Sequence, residues 1–412
     1  MSATRSIAKN FSWLLVGSII SGTINFIANV YVARVLGAAS FGLFRFAQSF
    51  LAYMLLAVDS GLSTLGALEI AKNKDNAYNV TTNILLLRVL IASVVFLLGS
   101  AVVVFVPMPW EMRALLLFSF IYVFYRAVNL DWAFQGLEKM GFTAIAKVSN
   151  ALFFSLFIVV FVRSADDLLR VPLILSFSGL AVSLVFLVLF IYLFSGRRFP
   201  ILSQARISQY FYDAIPLGAA AFLIQIYNNM DTIMLGFLSS AQVVGYYSSA
   251  YQVYYIVLAF YIVWQAAAIP VAGSKMNEDK HKAQVFLAKY LRLTMLAVIP
   301  AVIAVCIAAP IIIGLLYGSG YNEAIPALRW LIWTMIPCAI GYSYGVLLLI
   351  PSGDSKGFLL AVAGGALINI VLNFLLIPQY GYAGAAIATI AAETTVALIA
   401  IYLSKKIFYL PI

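Results

Sequence analysis

Five ionisable side chains lie inside long apolar stretches of this sequence, where membrane-spanning helices are expected. They are Arg45, Asp59, Arg126, Asp231 and Glu393. Each costs roughly 2.5–3.5 kcal/mol at the centre of a bilayer on insertion scales, so exposing all five to lipid would cost on the order of 15 kcal/mol. We therefore expect them to face the protein interior or an aqueous cavity. There they either form structural ion pairs, for example Arg126 with Asp59, or handle a solute or an ion.

Two of the five, Arg45 and Arg126, suit an anionic ligand. A guanidinium group binds phosphate or carboxylate through two parallel hydrogen bonds and keeps its charge at physiological pH. Neutral polar side chains in the apolar stretches would supply the further donors and acceptors that a sugar requires, or would bond helices to one another. These side chains are Asn25, Asn29, Gln48, Gln225 and Asn228. We expect the two arginines and these five residues to bind the substrate in a cavity.

The three acids are candidates for ion coupling. Asp59, Asp231 and Glu393 each lie within an apolar run, and an acid inside a membrane protein typically marks an ion pathway or a proton relay. Such coupling would use H⁺ or Na⁺, and no other cofactor is expected. The sequence leaves open whether these acids bind an ion, face the substrate or pair with the arginines.

Catalysis is not expected, because the residue patterns that would support it are missing from the sequence. The only histidine, His281, lies in a charged loop, and the two cysteines, Cys306 and Cys338, fall in apolar runs without metal-ligand spacing. The sequence also has no Walker-type Gly-Lys-Ser/Thr loop, which an ATPase would need to hold phosphate. We therefore expect no catalytic residue and no metal site, and we interpret the chain as one that moves a solute.

Membrane-spanning helices must position these side chains. The sequence is 64% hydrophobic and only 10% charged, whereas about a quarter of the residues of a soluble domain are charged. A span needs about 20 mostly apolar residues, and twelve runs qualify. They are residues 11–33, 41–66, 80–105, 112–135, 142–162, 171–195, 210–238, 245–272, 289–316, 325–350, 357–377 and 383–404. The prediction is an all-α polytopic membrane protein with twelve transmembrane helices.

Basic residues on the connecting segments determine the predicted orientation. With the N-terminus inside, eighteen lysines and arginines fall on the cytoplasmic side and six on the opposite side, as the positive-inside rule requires. Arg88 is counted among the eighteen, at the cytoplasmic end of the third run. The prediction is a multi-pass protein of the cytoplasmic (inner) membrane with both termini in the cytoplasm. The net charge of +10 then reflects topology and does not indicate a nucleic-acid partner.

The two halves of the chain resemble each other. At a shift of 203 residues, Asn25 falls on Asn228 and Gly42 falls on Gly245. We divide the chain into an N-terminal six-helix lobe, residues 1–200, and a C-terminal six-helix lobe, residues 201–412. Because each half has six spans, the repeats share one orientation, and their pseudo-two-fold axis should run along the membrane normal. Parallel repeats of this kind are a transporter architecture, with the substrate site at the repeat interface.

Two motifs connect the chain with a known family. Residues from Val35 to Phe50 read VLGAASFGLFRFAQSF, and residues from Asp131 to Met140 read DWAFQGLEKM. Both resemble the signatures of Wzx-type O-antigen and exopolysaccharide flippases of the MOP (multidrug/oligosaccharidyl-lipid/polysaccharide) exporter superfamily. That superfamily also contains the MATE multidrug exporters and the lipid II flippases. The resemblance covers essentially the full length, including the twelve spans in two six-helix lobes.

The resemblance implies a flippase that moves undecaprenyl-pyrophosphate-linked oligosaccharide, the repeat unit of O-antigen or exopolysaccharide, across the inner membrane by alternating access. In relatives a cationic cavity takes the diphosphate and the glycan, and Arg45 and Arg126 are the positions here that fit that role. The implied partners are this polyprenyl-diphosphate glycan, membrane lipids, and the polymerase and assembly proteins of polysaccharide synthesis.

Two other functions fit parts of the sequence. A MATE-like cation-coupled multidrug exporter would bind organic cations with acids in its cavity, and Asp59, Asp231 and Glu393 keep this alternative open. A scaffold for polysaccharide assembly would bind the polymerase without transporting a solute. Lipid II is a weaker candidate as cargo, because lipid II flippases resemble this chain but have a denser set of cavity arginines.

Overall fold

The chain is helical, without strands, over the part that a computed structural model describes, residues 3–196 and 201–408. It forms two compact units, of which the first extends to Ile226. The helices of the first unit are α1 (Ala3–Asp59), α2 (Leu62–Lys72), α3 (Ala77–Phe105), α4 (Trp110–Phe120), α5 (Tyr122–Val128), α6 (Asp131–Gly136), α7 (Met140–Phe161) and α8 (Arg170–Phe194). The helical class predicted from the apolar runs is confirmed.

The second compact unit begins at Tyr227, within helix α9 (Gln204–Leu238). It continues through α10 (Ala241–Glu278), α11 (Lys280–Tyr317), α12 (Ala324–Ile332), α13 (Met335–Tyr344), α14 (Ser355–Tyr380) and α15 (Tyr382–Phe408). A turn of π-helix, Gly345–Leu349, follows α13. The division at residues 200 and 201 was drawn from an internal repeat, which these packing units do not test, so it stays a prediction.

Ten helical segments of the described residues are long and apolar enough to cross a membrane. The first of them, Lys9–Lys72, contains Gly37, whose φ of 73° and ψ of 168° interrupt the helix. Only glycine adopts such angles without strain, so the runs 11–33 and 41–66 meet at this residue. Helix α9 is not among the ten. The predicted number of twelve spans therefore stays a prediction.

The fourth apolar run is broken inside its length. Helix α4 ends at Phe120, α5 covers Tyr122–Val128, and Asn129 has extended backbone angles before α6 begins at Asp131. In a membrane the backbone groups that such a break frees must find partners within the protein. The break places Arg126 in the last turn of α5, next to those free carbonyl groups.

Residues of the DWAFQG motif pack α6 closely against α2. A Cβ atom on Gly136 would lie 2.7 Å from the carbonyl oxygen of Ala67, so only glycine fits at this approach. The ring of Trp132 likewise fills the space in front of Gly66. Phe134 is buried and packs edge-on against Phe190, with ring centroids 5.7 Å apart. The motif therefore has a packing role in the first unit.

Two asparagines of α3 bind the chain segment that precedes α9. Asn83 is buried and donates from Nδ2 to the carbonyl oxygen of Ile201 at 2.8 Å, while its Oδ1 accepts from the backbone N–H of Ser203 at 3.0 Å. Asn79 Oδ1 accepts from the N–H of Ile201 at 3.0 Å. These bonds satisfy both sides of an extended peptide, so they attach this segment to the first unit.

We expect Asn83→Leu to destabilise the protein by about 1–3 kcal/mol, because it removes the buried Asn83 amide and with it two hydrogen bonds to the backbone of Ile201 and Ser203. The measurement is thermal unfolding of the purified protein in detergent. Thr82→Ala is the matched control, since the Thr82 hydroxyl bonds the carbonyl of Tyr78 on its own helix. Equal unfolding temperatures for the two variants would contradict the assignment.

Candidate functional site

An acid at the end of α1 brings two arginines together in the first unit. Asp59 Oδ1 lies 3.4 Å from Arg88 Nη2, and Asp59 Oδ2 lies 3.4 Å from Arg126 Nη2. Ser63 donates its hydroxyl hydrogen to Asp59 Oδ1. The pairing of Arg126 with Asp59 that we considered from the sequence is therefore present. These three side chains carry a formal charge of +1, and a further acid, Asp131, interacts electrostatically with both arginines.

The two arginines of this cluster differ in access to solvent. The Arg88 side chain is 0% exposed and that of Arg126 is 37% exposed, with Asp59 at 16% between them. A solute that reaches the cluster can therefore contact Arg126 but not Arg88. The exposed guanidinium is the group of this cluster that can bind an anion directly.

Arg88 also forms hydrogen bonds to the backbone at the break in the fourth apolar run. Its Nη1 donates to the carbonyl oxygen of Asn129 at 3.2 Å, and its Nη2 donates to the carbonyl oxygen of Arg126. Carbonyl groups at a helix C-terminus lack intrahelical partners. Here the Arg88 guanidinium is the hydrogen-bond donor to them. Arg88 thus joins α1, α3 and the end of α5.

Arg88 lies inside helix α3, and its predicted position at the cytoplasmic end of the membrane span stays a prediction. The helix begins at Ala77, so Arg88 follows 11 residues later, about 17 Å along the axis, with 17 more residues to Phe105. The predicted run, residues 80–105, already contains Arg88 in its first half. The signal was present in the sequence: Arg88 interrupts the apolar run ILLLRVLIA.

Arg45 lies at a different depth of the same unit. It precedes Asp59 by 14 residues on the helix after Gly37, which is about 21 Å along the axis. Its side chain is half-buried, and its carbonyl accepts from Ser49 Oγ at 3.1 Å. The structure therefore places Arg126, and not Arg45, in the Asp59 cluster.

The neutral polar residues expected in the cavity are spread over α1 and α9. Asn29 donates from Nδ2 to the carbonyl of Asn25 at 2.8 Å, a bond within one helix. Gln48 and Gln225 are half-buried. The side chain of Asn228 lies outside the described residues. Substrate binding by these residues stays a prediction.

Asp231 forms the polar centre of the second unit, and it is held by neutral groups. Tyr247 and Thr389 donate hydroxyl hydrogens to Oδ2 at 2.6 and 2.7 Å. Asn369 and Asn373 donate from Nδ2 to Oδ1 at 2.9 and 2.6 Å. The carboxylate is buried, and the four groups that bond it carry no charge to offset its own. We had not predicted the roles of Asn369, Asn373 and Thr389, although the two asparagines are spaced i, i+4 in an apolar helix.

A cavity of about 60 Å³ adjoins Asp231 inside the second unit. Glu393, which is 5% exposed, contributes a second carboxyl group to its wall. Four tyrosines of α10 and α13, among them Tyr251 and Tyr342, also line the cavity. This volume exceeds the roughly 10–15 Å³ that one water molecule needs. The cavity can therefore hold a few waters or a small ion beside the two acids.

Comparison with known sequences finds a family and relatives. Residues 7–276 match the family model described as "Polysaccharide biosynthesis protein". A "Putative O-antigen transporter" of Escherichia coli (strain K12) is 24% identical over 375 residues, which cover 89% of either chain. A "Probable flippase AglR" of Haloferax volcanii is 27% identical over 190 residues, covering 45% of this chain and 40% of that protein.

Comparison with solved structures identifies the fold. An inward-facing multidrug resistance MATE family transporter of the MOP superfamily superposes with a TM-score of 0.74 at 15% identity, covering 94% of both chains. The lipid II flippase MurJ in an inward closed conformation superposes with a TM-score of 0.73 at 13% identity. That match covers 95% of this chain and 87% of the flippase. The predicted MOP/MATE-like class of polytopic helical membrane protein is confirmed.

We expect Tyr247→Phe to destabilise the protein by about 1.5–3 kcal/mol, the range for a hydrogen bond to a charged group, because it removes one of the donors that hold the Asp231 carboxylate. Thermal unfolding of the purified protein in detergent measures the effect. Tyr255→Phe is the matched control on the same helix, because Tyr255 is 55% exposed. If both variants unfold at the same temperature, the bond to Asp231 contributes nothing to stability.

Proposed function

Since this chain belongs to the polysaccharide biosynthesis protein family, we propose that it is a flippase for lipid-linked oligosaccharide. The specific cargo that we propose is an undecaprenyl-diphosphate-linked repeat unit of O-antigen or exopolysaccharide, moved by alternating access. The observation that carries this proposal is the half-exposed guanidinium of Arg126 in a cluster of formal charge +1. The names of the transporter and flippase relatives support the same class of cargo.

A lipid diphosphate needs a cation on its path. Moving an isolated anion from water into a low-dielectric site costs far more than any neutral hydrogen bond returns. A guanidinium offsets part of that cost, because it binds phosphate oxygens through two parallel charge-assisted bonds. We propose Arg126 for this role and Arg45 as the second cation of the cargo path in the first unit. The polyprenyl tail stays in the lipid.

Export of drug-like cations fits the geometry less well. Such a site needs an acid that is open to the drug, yet Asp59 is already paired with two arginines. The cavity beside Asp231 and Glu393 has a volume of about 60 Å³, whereas pockets for drug-sized ligands have volumes of about 300–1,000 Å³. We therefore favour the anionic cargo.

We propose that Asp231 and Glu393 couple transport to an ion gradient of H⁺ or Na⁺. The charge of Asp231 is held by neutral donors, so a proton or a sodium ion can neutralise it. Rotation of an asparagine amide would turn an oxygen toward a bound cation. A ligand shifts a conformational equilibrium only through unequal affinity for the two states, and an ion bound in one state supplies that inequality.

The proposed setting is the cytoplasmic membrane, with both termini in the cytoplasm and the cargo released on the opposite side. The flippase would supply substrate to a polysaccharide polymerase and its assembly proteins. This placement follows from the distribution of lysine and arginine between the loops.

We expect Arg126→Ala to lower the surface polysaccharide of a complemented flippase-null strain at least tenfold, because the cargo loses its diphosphate partner. We expect the same direction for Arg45→Ala. Membrane fractions establish that each variant is inserted. Arg163→Ala is the control, since Arg163 is exposed and its side chain bonds the carbonyl of Val160. Full complementation by both test variants would show that the cationic path is wrong.

We expect Asp231→Asn to uncouple transport from the ion gradient, because the amide can neither take up a proton nor neutralise a cation. In proteoliposomes the wild type should transfer cargo faster under an imposed H⁺ or Na⁺ gradient, and the variant should respond to neither. Asp166→Asn, at an exposed position, should respond as the wild type does. A gradient response retained by Asp231→Asn would exclude Asp231 as the coupling residue.

A further inference from the structure

The Asp59 cluster contains one more cation than the acid needs, and the two cations are held differently. Arg88 is 0% exposed and bonds two backbone carbonyls of the broken run in addition to Asp59. Arg126 is 37% exposed and joins the cluster through its ion pair with Asp59. If Arg126 turned away, Asp59 would keep its ion pair with Arg88 and its hydrogen bond from Ser63.

This difference matters because releasing a buried charge from its only partner is costly. An anionic ligand that takes Arg126 must break the ion pair between Arg126 and Asp59. With Arg88 in place, the Asp59 carboxylate stays paired after that break. The ligand therefore has to offset the loss of only one of the two ion pairs. Without Arg88, the same step would leave a carboxylate inside the membrane without a cation.

We propose that Asp59 and Arg88 form an exchange device for Arg126: a diphosphate displaces Asp59 from Arg126, and Asp59 rests on Arg88 until the ligand leaves. The inference rests on the proposed function and adds positioning roles for Asp59 and Arg88. Asp59 competes with the ligand for Arg126. Arg88 is the stationary counterion that makes the competition reversible.

The competition has a use in transport. A diphosphate carries more charge than a carboxylate, so it wins Arg126 when it enters the site. A binding site that must also release its cargo cannot hold it too strongly, and the return of Asp59 to Arg126 lowers the affinity. Asp59 therefore weakens binding and speeds release, which is the opposite of what a ligand-binding or purely structural residue does.

The test measures binding of inorganic pyrophosphate to the purified full-length protein in detergent by calorimetry. Asp59→Asn removes the competitor, and we expect about fivefold tighter binding, the upper range for a partly exposed ion pair. Arg88→Gln leaves Asp59 with Arg126 as its only cation, and we expect about fivefold weaker binding. The double variant Asp59→Asn with Arg88→Gln has no carboxylate to compensate and should return to at least the affinity of the wild type.

Asp166→Asn changes the net charge in the same direction at an exposed position and should leave the affinity for pyrophosphate unchanged. Arg126→Ala should abolish binding. Thermal unfolding accompanies every variant. Should Arg88→Gln fail to fold, Arg88→Lys keeps a cation at the position and should bind pyrophosphate as the wild type does, while Asp59→Asn alone decides the competition.

The outcomes separate this inference from the proposed function. Pyrophosphate binding that depends on Arg126 but is unchanged or weakened by Asp59→Asn overturns the exchange and leaves the anion site in place. Weaker binding in Asp59→Asn, in Arg88→Gln and in the double variant, together with lower unfolding temperatures, would show that Asp59 and Arg88 have a structural role alone. This result overturns the exchange as well. Absence of any Arg126-dependent binding in the wild type overturns both.

Discussion

A polar group inside a bilayer must find its partner within the protein, because lipid offers none. This constraint explains the connections within each unit. In the first unit, a break in the fourth apolar run frees backbone carbonyls, and the Arg88 guanidinium satisfies them while it neutralises Asp59. One buried side chain thereby joins three helices. Because leaving the guanidinium, the carboxylate or the carbonyl groups without a partner would cost free energy, their interactions stabilise this arrangement.

The same constraint has opposite electrostatic results in the two units. The centre of the first unit has two guanidinium groups around one carboxylate, and its surplus cation is the exposed one. The centre of the second unit is a carboxylate surrounded by hydroxyl and amide donors, next to a cavity with a second acid. A unit of the first kind suits an anion, and a unit of the second kind suits a proton or a small cation. The function that we propose, transport of an anionic cargo coupled to a cation gradient, would use both.

Motif residues and functional residues are largely different residues in this protein. Gly37 belongs to the first motif, and its positive φ allows the interruption of helix α1. Trp132, Phe134 and Gly136 belong to the second motif and pack α6 onto its neighbours. Arg126 and Asp231, for which we propose anion binding and ion coupling, lie outside both motifs, whereas Arg45 lies within the first. A motif can thus identify a family through its packing while the chemistry lies elsewhere in the chain.

The sequence by itself determined that the chain lies in a bilayer, that it is helical and which family it resembles. It also identified the polar groups that would be costly to expose to lipid. These follow from composition, from the length of apolar runs and from the price of burying charge, all of which are properties of local sequence. It also suggested the pair of Arg126 with Asp59. It did not determine that Arg88 bonds Asp59 and the carbonyl groups of Arg126 and Asn129, because these partners lie 29 to 41 positions away along the chain.

Only the tertiary structure decided which polar groups meet. Asp231 is bonded by residues 16 to 158 positions away along the chain, and no local pattern connects Asn369 and Thr389 with it. The sequence predicted the same ion-coupling role for Asp59 and Asp231. The structure distinguishes the two acids, because Asp59 is paired with arginines whereas Asp231 is bonded by neutral donors. A hydrogen bond depends on distance and direction in space, and those are set by helix packing over the whole chain.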